Sequence, residues 1–175
     1  MTVKDLKVSQ FIAGFWRLNQ WQFNDAELHT YIEGLLNLGV TTMDHAFVYR
    51  SESQFGRVLK NTHGLREQMQ LITKFGICPA GFGDPDAQEV NHYDSSSDYI
   101  IRSVENSLLS LCTDHIDVLL VHRPDYLMQA EELAKAFDHL KSAGKVKHFG
   151  VSNFSAFQFR LLQSFCDTPF SNKLN

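Results

Sequence analysis

The chain has 175 residues, 43% of them hydrophobic and 21% charged, which supplies material for a packed core and argues against wholesale disorder. Its formal net charge of -4 excludes a basic nucleic-acid footprint as the default reading. Three scattered cysteines, Cys78, Cys112 and Cys166, form no CxxC pair and exclude a disulfide scaffold or a zinc ribbon.

In chain order, an apolar run at 11–15 precedes a polar turn. Asn24-Asp25 then offers a helix cap before Leu28, Tyr31, Ile32, Leu35, Leu36 and Leu38, at helical spacing, and Gly39 closes that helix. A strand is predicted at 40–44, a helix at 51–60 with Phe55, Val58 and Leu59 on one face, and a strand at 69–74. A polar stretch over 76–97 is long for a compact domain and reads as a functional loop. A helix at 97–112, a strand at 116–122, a helix at 128–143, a strand at 146–151 and a helix at 155–164 follow. Repeated strand–helix alternation predicts a parallel α/β sheet, and the nearly unbroken apolar strands fit a sheet covered on both faces. The turn after the first strand, Gly14-Phe15-Trp16-Arg17-Leu18-Asn19, lacks the G-x-G-x-x-G of an open dinucleotide-binding sheet, so a closed (β/α)8 TIM-type barrel is the expected class. The length corresponds to about five of its eight units.

In such a barrel the C-terminal strand ends open on one face, where the active site lies. Here they deliver Asp44, Lys74, His122 and the pair Ser152-Asn153, with Tyr49 five residues beyond Asp44. Each has a plain alternative: Lys74 as a solvent-facing strand end, His122 as the last residue before a Pro-Asp turn, Asp44 as a cap, Tyr49 as a surface aromatic. Their agreement in position favours one shared site. The histidines show no H-E-x-x-H or other tight ligand spacing, so no metal site is expected. Asp44 is expected to hold Lys74, and the ammonium to favour the Tyr49 phenolate and lower its pKa. A Tyr so placed can give a proton to a carbonyl oxygen that His122 orients, while Ser152 and Asn153 suit a carboxamide. The hydride must come from a nicotinamide cofactor.

These residues resemble the aldo-keto reductase family. Asp44-His45-Ala46-Phe47-Val48-Tyr49 with Glu52 and Gly56 is similar to its D-x-A-x-x-Y…E…G signature, and Leu119-Leu120-Val121-His122-Arg123-Pro124-Asp125 to its L-x-H-x-P-D segment. Gly144-Lys145-Val146-Lys147-His148-Phe149-Gly150-Val151-Ser152-Asn153-Phe154 is similar to its G-K-x-R-x-x-G-V-S-N-F segment. The wording is nearest the bacterial YdhF-like oxidoreductase branch. The resemblance implies Tyr49 as proton donor, Asp44 and Lys74 as its tuning pair, and His122 as carbonyl orienter. It further implies Ser152, Asn153 and Asp44 at an NADPH cofactor, and Trp16 with His122 at the substrate. Arg50 stands where the family commonly has Gly. The implied function is NADPH-dependent reduction of an aldehyde or ketone, the partner being a small carbonyl compound rather than nucleic acid or membrane. The alternative is a non-catalytic nicotinamide-binding or regulatory protein on the same fold.

Residues 1–175 are expected to be the N-terminal part of a single barrel domain, with 170–175 about where a sixth strand would begin; a further reading is that the short chain is itself inactive. With no signal-peptide pattern at the start, the expected location is cytoplasmic.

Overall fold

The computed structural model describes residues 6–81 and 89–170. Chain order runs β1 (Ile12–Gly14), α1 (Leu18–Trp21), α2 (Asp25–Asn37), β2 (Thr42–Asp44), α3 (Glu52–Asn61), β3 (Gln70–Phe75), β4 (Ile77–Cys78), β5 (His92–Tyr93), α4 (Ser97–Leu111), β6 (Ile116–Val121), α5 (Ala130–Ser142), β7 (Val146–Val151) and α6 (Ala156–Phe165). Single 3-10 turns at Phe47–Tyr49 and Arg66–Gln68 precede α3 and β3 respectively. Five strands form one sheet in the order β1-β2-β3-β6-β7, every pairing parallel. That is the predicted alternation, each crossover carried by a helix.

The helix boundaries follow local chemistry. Asn24 caps α2 through a reciprocal box with Glu27, both bonds 2.9 Å, and Ser155 with Gln158 does the same for α6. Gly39, at φ 75°, and Gly144, at φ 70°, follow α2 and α5 in the left-handed region that glycine tolerates. Two short elements depart from the sequence expectation: α1, and the β4–β5 hairpin inside the long polar stretch, where Ile77 pairs with Tyr93 and Cys78 with His92. The expected sixth-strand start at 170–175 lies, apart from Phe170, outside the described residues.

Two apolar cores lie on the sheet's two faces. The larger joins sheet to helices through Met43, Leu71, Phe75, Leu119, Val121 and Phe149 against Phe55, Ile100, Leu111, Phe137 and Leu162. The smaller one holds Ile72, Val118 and Leu120, covered by Leu6 and Val8. Strand alternation therefore separates two sets of side chains in β3: Leu71, Thr73 and Phe75 toward the helices, Ile72 and Lys74 toward the inner face. Gly56 is where α3 and α4 nearly touch, since a Cβ there would lie 2.0 Å from the Ser110 carbonyl oxygen. On the outer side, α6 exposes Phe157, Leu161 and Phe165 at i, i+4, i+8 spacing.

Candidate active site

Asp44 ends β2, and Lys74 lies in the last turn-ward residues of β3 on the same inner face. The Lys74 ammonium donates to both Asp44 carboxylate oxygens, at 2.6 and 2.7 Å, and to the His45 carbonyl at 2.8 Å. Lys74 is 7% exposed, so burial pulls its pKa down while the Asp44 carboxylate pulls it back up. Burial in turn pushes the Asp44 carboxyl up, opposed by the ammonium.

Tyr49 closes the 3-10 turn after β2, and its backbone carbonyl is held by the Asn19 side-chain amide at 3.0 Å. Its hydroxyl stands 3.4 Å from Lys74 Nζ, which also lies 5.0 Å from the ring centroid. The expected lowering of the Tyr49 pKa is not found: burial raises it, and the Asp44 charge raises it further. The physical reason is that the Lys74 charge is engaged at short range by Asp44, leaving the longer phenol contact too weak to favour a phenolate. At neutral pH Tyr49 therefore keeps its proton.

His122 follows β6 and meets the Tyr49 ring edge to face at 5.7 Å. Burial, with Lys74 and Arg123 adding to it, lowers its pKa to about 4, so the imidazole is neutral. Trp16, 65% exposed, flanks the other side with its ring 6.3 Å from that of Tyr49. The Asn153 side chain donates to the His122 carbonyl at 2.9 Å and to Ser152 Oγ at 3.0 Å. Asn153 holds φ 62°, a conformation asparagine tolerates better than most residues. All the residues singled out from the sequence thus gather at one end of the sheet: Trp16, Asp44, Tyr49, Lys74 and His122 around one point, Ser152 and Asn153 joined to it through His122.

Other polar groups gather where no single motif announces them. Glu52 is buried beneath the site, accepting from Thr73 Oγ1 at 2.6 Å and from Ser107 Oγ at 3.0 Å, and burial raises its pKa against both bonds. His45 is fully buried, stacked on Phe15 at 4.8 Å and edge-on to Phe55 at 4.5 Å; burial and Lys74 lower its pKa to about 3. Arg50 takes φ 58°, a left-handed conformation that glycine adopts with less strain than arginine. At the opposite strand ends, Asp117 accepts from Arg66 at 2.7 Å, from the Leu71 amide at 2.9 Å and from Lys147 at 3.1 Å. Among the described residues no group of three or more His, Cys, Asp or Glu is arranged to hold a metal ion, and no helix is long and apolar enough to cross a membrane.

The sequence model of the aldo/keto reductase family matches residues 10–172. Oxidoreductase YdhF of Escherichia coli (strain K12) is 48% identical over 159 residues, covering 89% of this chain and 52% of the relative. A 6-dehydroglucose reductase of Agrobacterium fabrum is 44% identical over 163 residues, covering 91% of this chain and 54% of the relative. Among solved structures, the holo form of aldo-keto reductase AKR11C1 from Bacillus halodurans superposes with a TM-score of 0.78 at 26% identity, covering 96% of this chain and 54% of that one. The chain spans about half the length of these relatives. Its parallel sheet and helices accordingly correspond to part of the family's barrel, and by motif, sequence and fold the chain belongs to the aldo/keto reductase family.

Proposed function

We propose that the chain carries the catalytic half of an NADPH-dependent reductase that converts an aldehyde or ketone to an alcohol, residues 1–175 being the N-terminal part of one barrel domain. The observation that carries this reading is the Tyr49 hydroxyl 3.4 Å from a buried ammonium that is itself clamped by Asp44, with neutral His122 against the same ring. A phenol that keeps its proton until a carbonyl oxygen gains negative charge is a general acid. Tyr49 gives that proton to the oxygen, and the Lys74 ammonium stabilises the phenolate left behind. Asp44 keeps Lys74 charged in a buried place. His122, neutral, donates one N–H to the same oxygen and so fixes the carbonyl face, while Trp16 walls the substrate.

The donor set at Ser152-Asn153 fits a nicotinamide carboxamide. The Asn153 amide nitrogen is engaged by the His122 carbonyl and Ser152 Oγ, which leaves Asn153 Oδ1 as an acceptor and the Ser152 hydroxyl hydrogen as a donor. A carboxamide requires that complement, an acceptor for its NH2 and a donor for its oxygen. When bound, the cofactor supplies the hydride to the carbonyl carbon. Cytoplasmic location belongs to the same reading, with no nucleic-acid or membrane partner.

The test is NADPH consumption with simple aldehydes, alongside NADPH titration followed by Trp16 and Trp21 fluorescence. Tyr49→Phe should lose reduction by about 100-fold or more while still quenching on NADPH. Retained turnover in that variant would remove the proton-donor role, and absence of a saturable quench would remove the cofactor assignment.

A further inference from the structure

Glu52, the first residue of α3, is 4% exposed and lies across β3 from the proton-transfer centre. Its Oε1 accepts from Thr73 Oγ1 at 2.6 Å and its Oε2 from Ser107 Oγ at 3.0 Å, so one carboxyl ties α3 to β3 and to α4. Both oxygens act as acceptors, which is the pattern of a carboxylate, and the shorter bond has the length of a hydroxyl bond to an ionised oxygen. Burial raises the pKa of this group, and the two hydroxyls and the Lys74 charge oppose the rise.

Lys74 follows Thr73 on β3, and alternation along a strand puts the two side chains on opposite faces of the sheet. The ammonium therefore has a carboxylate on each side: Asp44 in direct contact on the inner face, Glu52 behind the strand. Burial lowers the Lys74 pKa, and the Asp44 and Glu52 charges both raise it. Among the described residues, the buried Asp, Glu, Lys and Arg side chains are Lys74, Glu52 and Asp117, and Asp117 sits at the opposite strand ends with Arg66 and Lys147. The other titratable groups around Lys74 are Tyr49, which keeps its proton, and the neutral imidazoles of His122 and His45.

At Lys74 Nζ three N–H hydrogens serve four acceptors: the two Asp44 oxygens, the His45 carbonyl and, at 3.4 Å, the Tyr49 hydroxyl. Once Tyr49 has given its proton to a substrate oxygen, the phenolate competes for one of these hydrogens, and a buried ammonium can lose the proton outright. A second negative charge that touches neither Nζ nor the phenol opposes that loss without occupying an N–H.

We propose that Glu52 is a positioning residue of the proton-transfer centre: from the helix side of β3 it supplies a second negative charge that keeps the proton on Lys74 Nζ. The inference rests on the carbonyl-reductase reading and adds to it the group that holds the ammonium from behind.

The test reads the charge of Lys74 directly. In the isotopically labelled chain, the Lys74 Cε signal is followed by NMR as pH is raised. Glu52→Gln, which keeps the shape and removes the charge, should lower the midpoint of the Lys74 titration by about one pH unit. Glu52→Asp, which keeps the charge, should hold the midpoint near that of the unaltered chain. Ser107→Ala removes one hydrogen bond and leaves the charge, so it should lower the unfolding temperature with the Lys74 midpoint in place. If Glu52→Gln does not fold, the Glu52 Cδ signal of the unaltered chain carries the test: it should be that of a carboxylate at neutral pH, and a carboxylic acid there overturns the proposal. An unchanged Lys74 midpoint in Glu52→Gln, or an equal fall in Ser107→Ala, would overturn it as well. Neither cofactor nor substrate enters the measurement, so its outcome is separate from those of the NADPH titration and the turnover assay.

Discussion

Replacing Gly56 by alanine sets two effects of opposite sign against each other. Alanine is the better helix former, and in an open helix position the change stabilises by about 0.5–1 kcal/mol. In α3, however, the new methyl would lie 2.0 Å from the Ser110 carbonyl oxygen and 2.8 Å from the Leu111 backbone. Ordinary C···O contact is about 3.3–3.6 Å, so α3 and α4 must move apart by roughly 1.3 Å. No rotamer change relieves this, because the obstructing atoms are backbone. The displacement loosens the contact of Phe55, Val58 and Leu59 with Ile100, Val104 and Leu108. Overpacking of this kind costs about 1–3 kcal/mol and outweighs the helix term. Gly34 is the internal control: it lies in α2 with nothing within 4 Å of a built Cβ. In urea unfolding followed by circular dichroism, Gly56→Ala should lower the midpoint by roughly 0.5–1 M and Gly34→Ala should raise it by a few tenths of a molar, for a slope of about 2 kcal/mol/M. If both variants shift the midpoint in the same direction, the close-approach argument is wrong.

The network at the far strand ends gives a second prediction. Burial pushes the Asp117 carboxyl up, but the Leu71 amide, Arg66 and Lys147 outweigh it and hold the pKa below the ordinary value. The stability it contributes is present above the unfolded value near 3.9 and is lost as pH falls through the folded value. Asp117→Asn should therefore destabilise by about 2–3 kcal/mol near neutrality, and the two unfolding midpoints should converge in acid; a gap that widens as pH falls refutes the ion-pair account. The third concerns His45, neutral in the fold with a pKa near 3. The unfolded chain binds a proton here near pH 6.5 and the folded chain does not, so this group's contribution falls by about 1.4 kcal/mol per pH unit below that value. His45→Phe should flatten the stability-versus-pH curve below about pH 6.5, leaving the separate contribution of His122; an unchanged slope would show that the imidazole is protonated in the fold.

How far the fold was legible depends on element length. The helices at 25–37, 97–111 and 130–142 carry three or more turns of periodic apolar residues, and the long strands are unbroken apolar runs, so their order followed from pattern. The hairpin of β4 and β5 has two residues in each strand, too few for any period to show, and α1 has four. In the site, Asp44, Lys74 and His122 were readable because strand ends share a face. The Glu52 contacts with Thr73 and Ser107, and the Asp117 contacts with Arg66 and Lys147, join residues that are 21 to 55 positions apart, and spacing carries no signal for them. The direction of the Tyr49 pKa was misread for a related reason: the sequence places an ammonium near the phenol but does not say how completely a carboxylate already holds it.

The sheet register bears on how such a protein can be altered. Asp44 is paired with Ile72, Lys74 with Leu120, and Leu120 with Gly150. Lys74 therefore stands two residues past the rung of Asp44, and His122 two past the rung of Lys74, like steps up a slanted stair. The positions of Asp44, Lys74 and His122 are set by that slant, while Tyr49 is carried by the 3-10 turn just after β2. The turn at 123–127 and the hairpin of β4 and β5 hang from the top of the same stair without forming any of its treads. Grafting other sequences into them leaves the register of Asp44, Lys74 and His122 standing, whereas deleting one residue within β3 would turn Lys74 to the helix side.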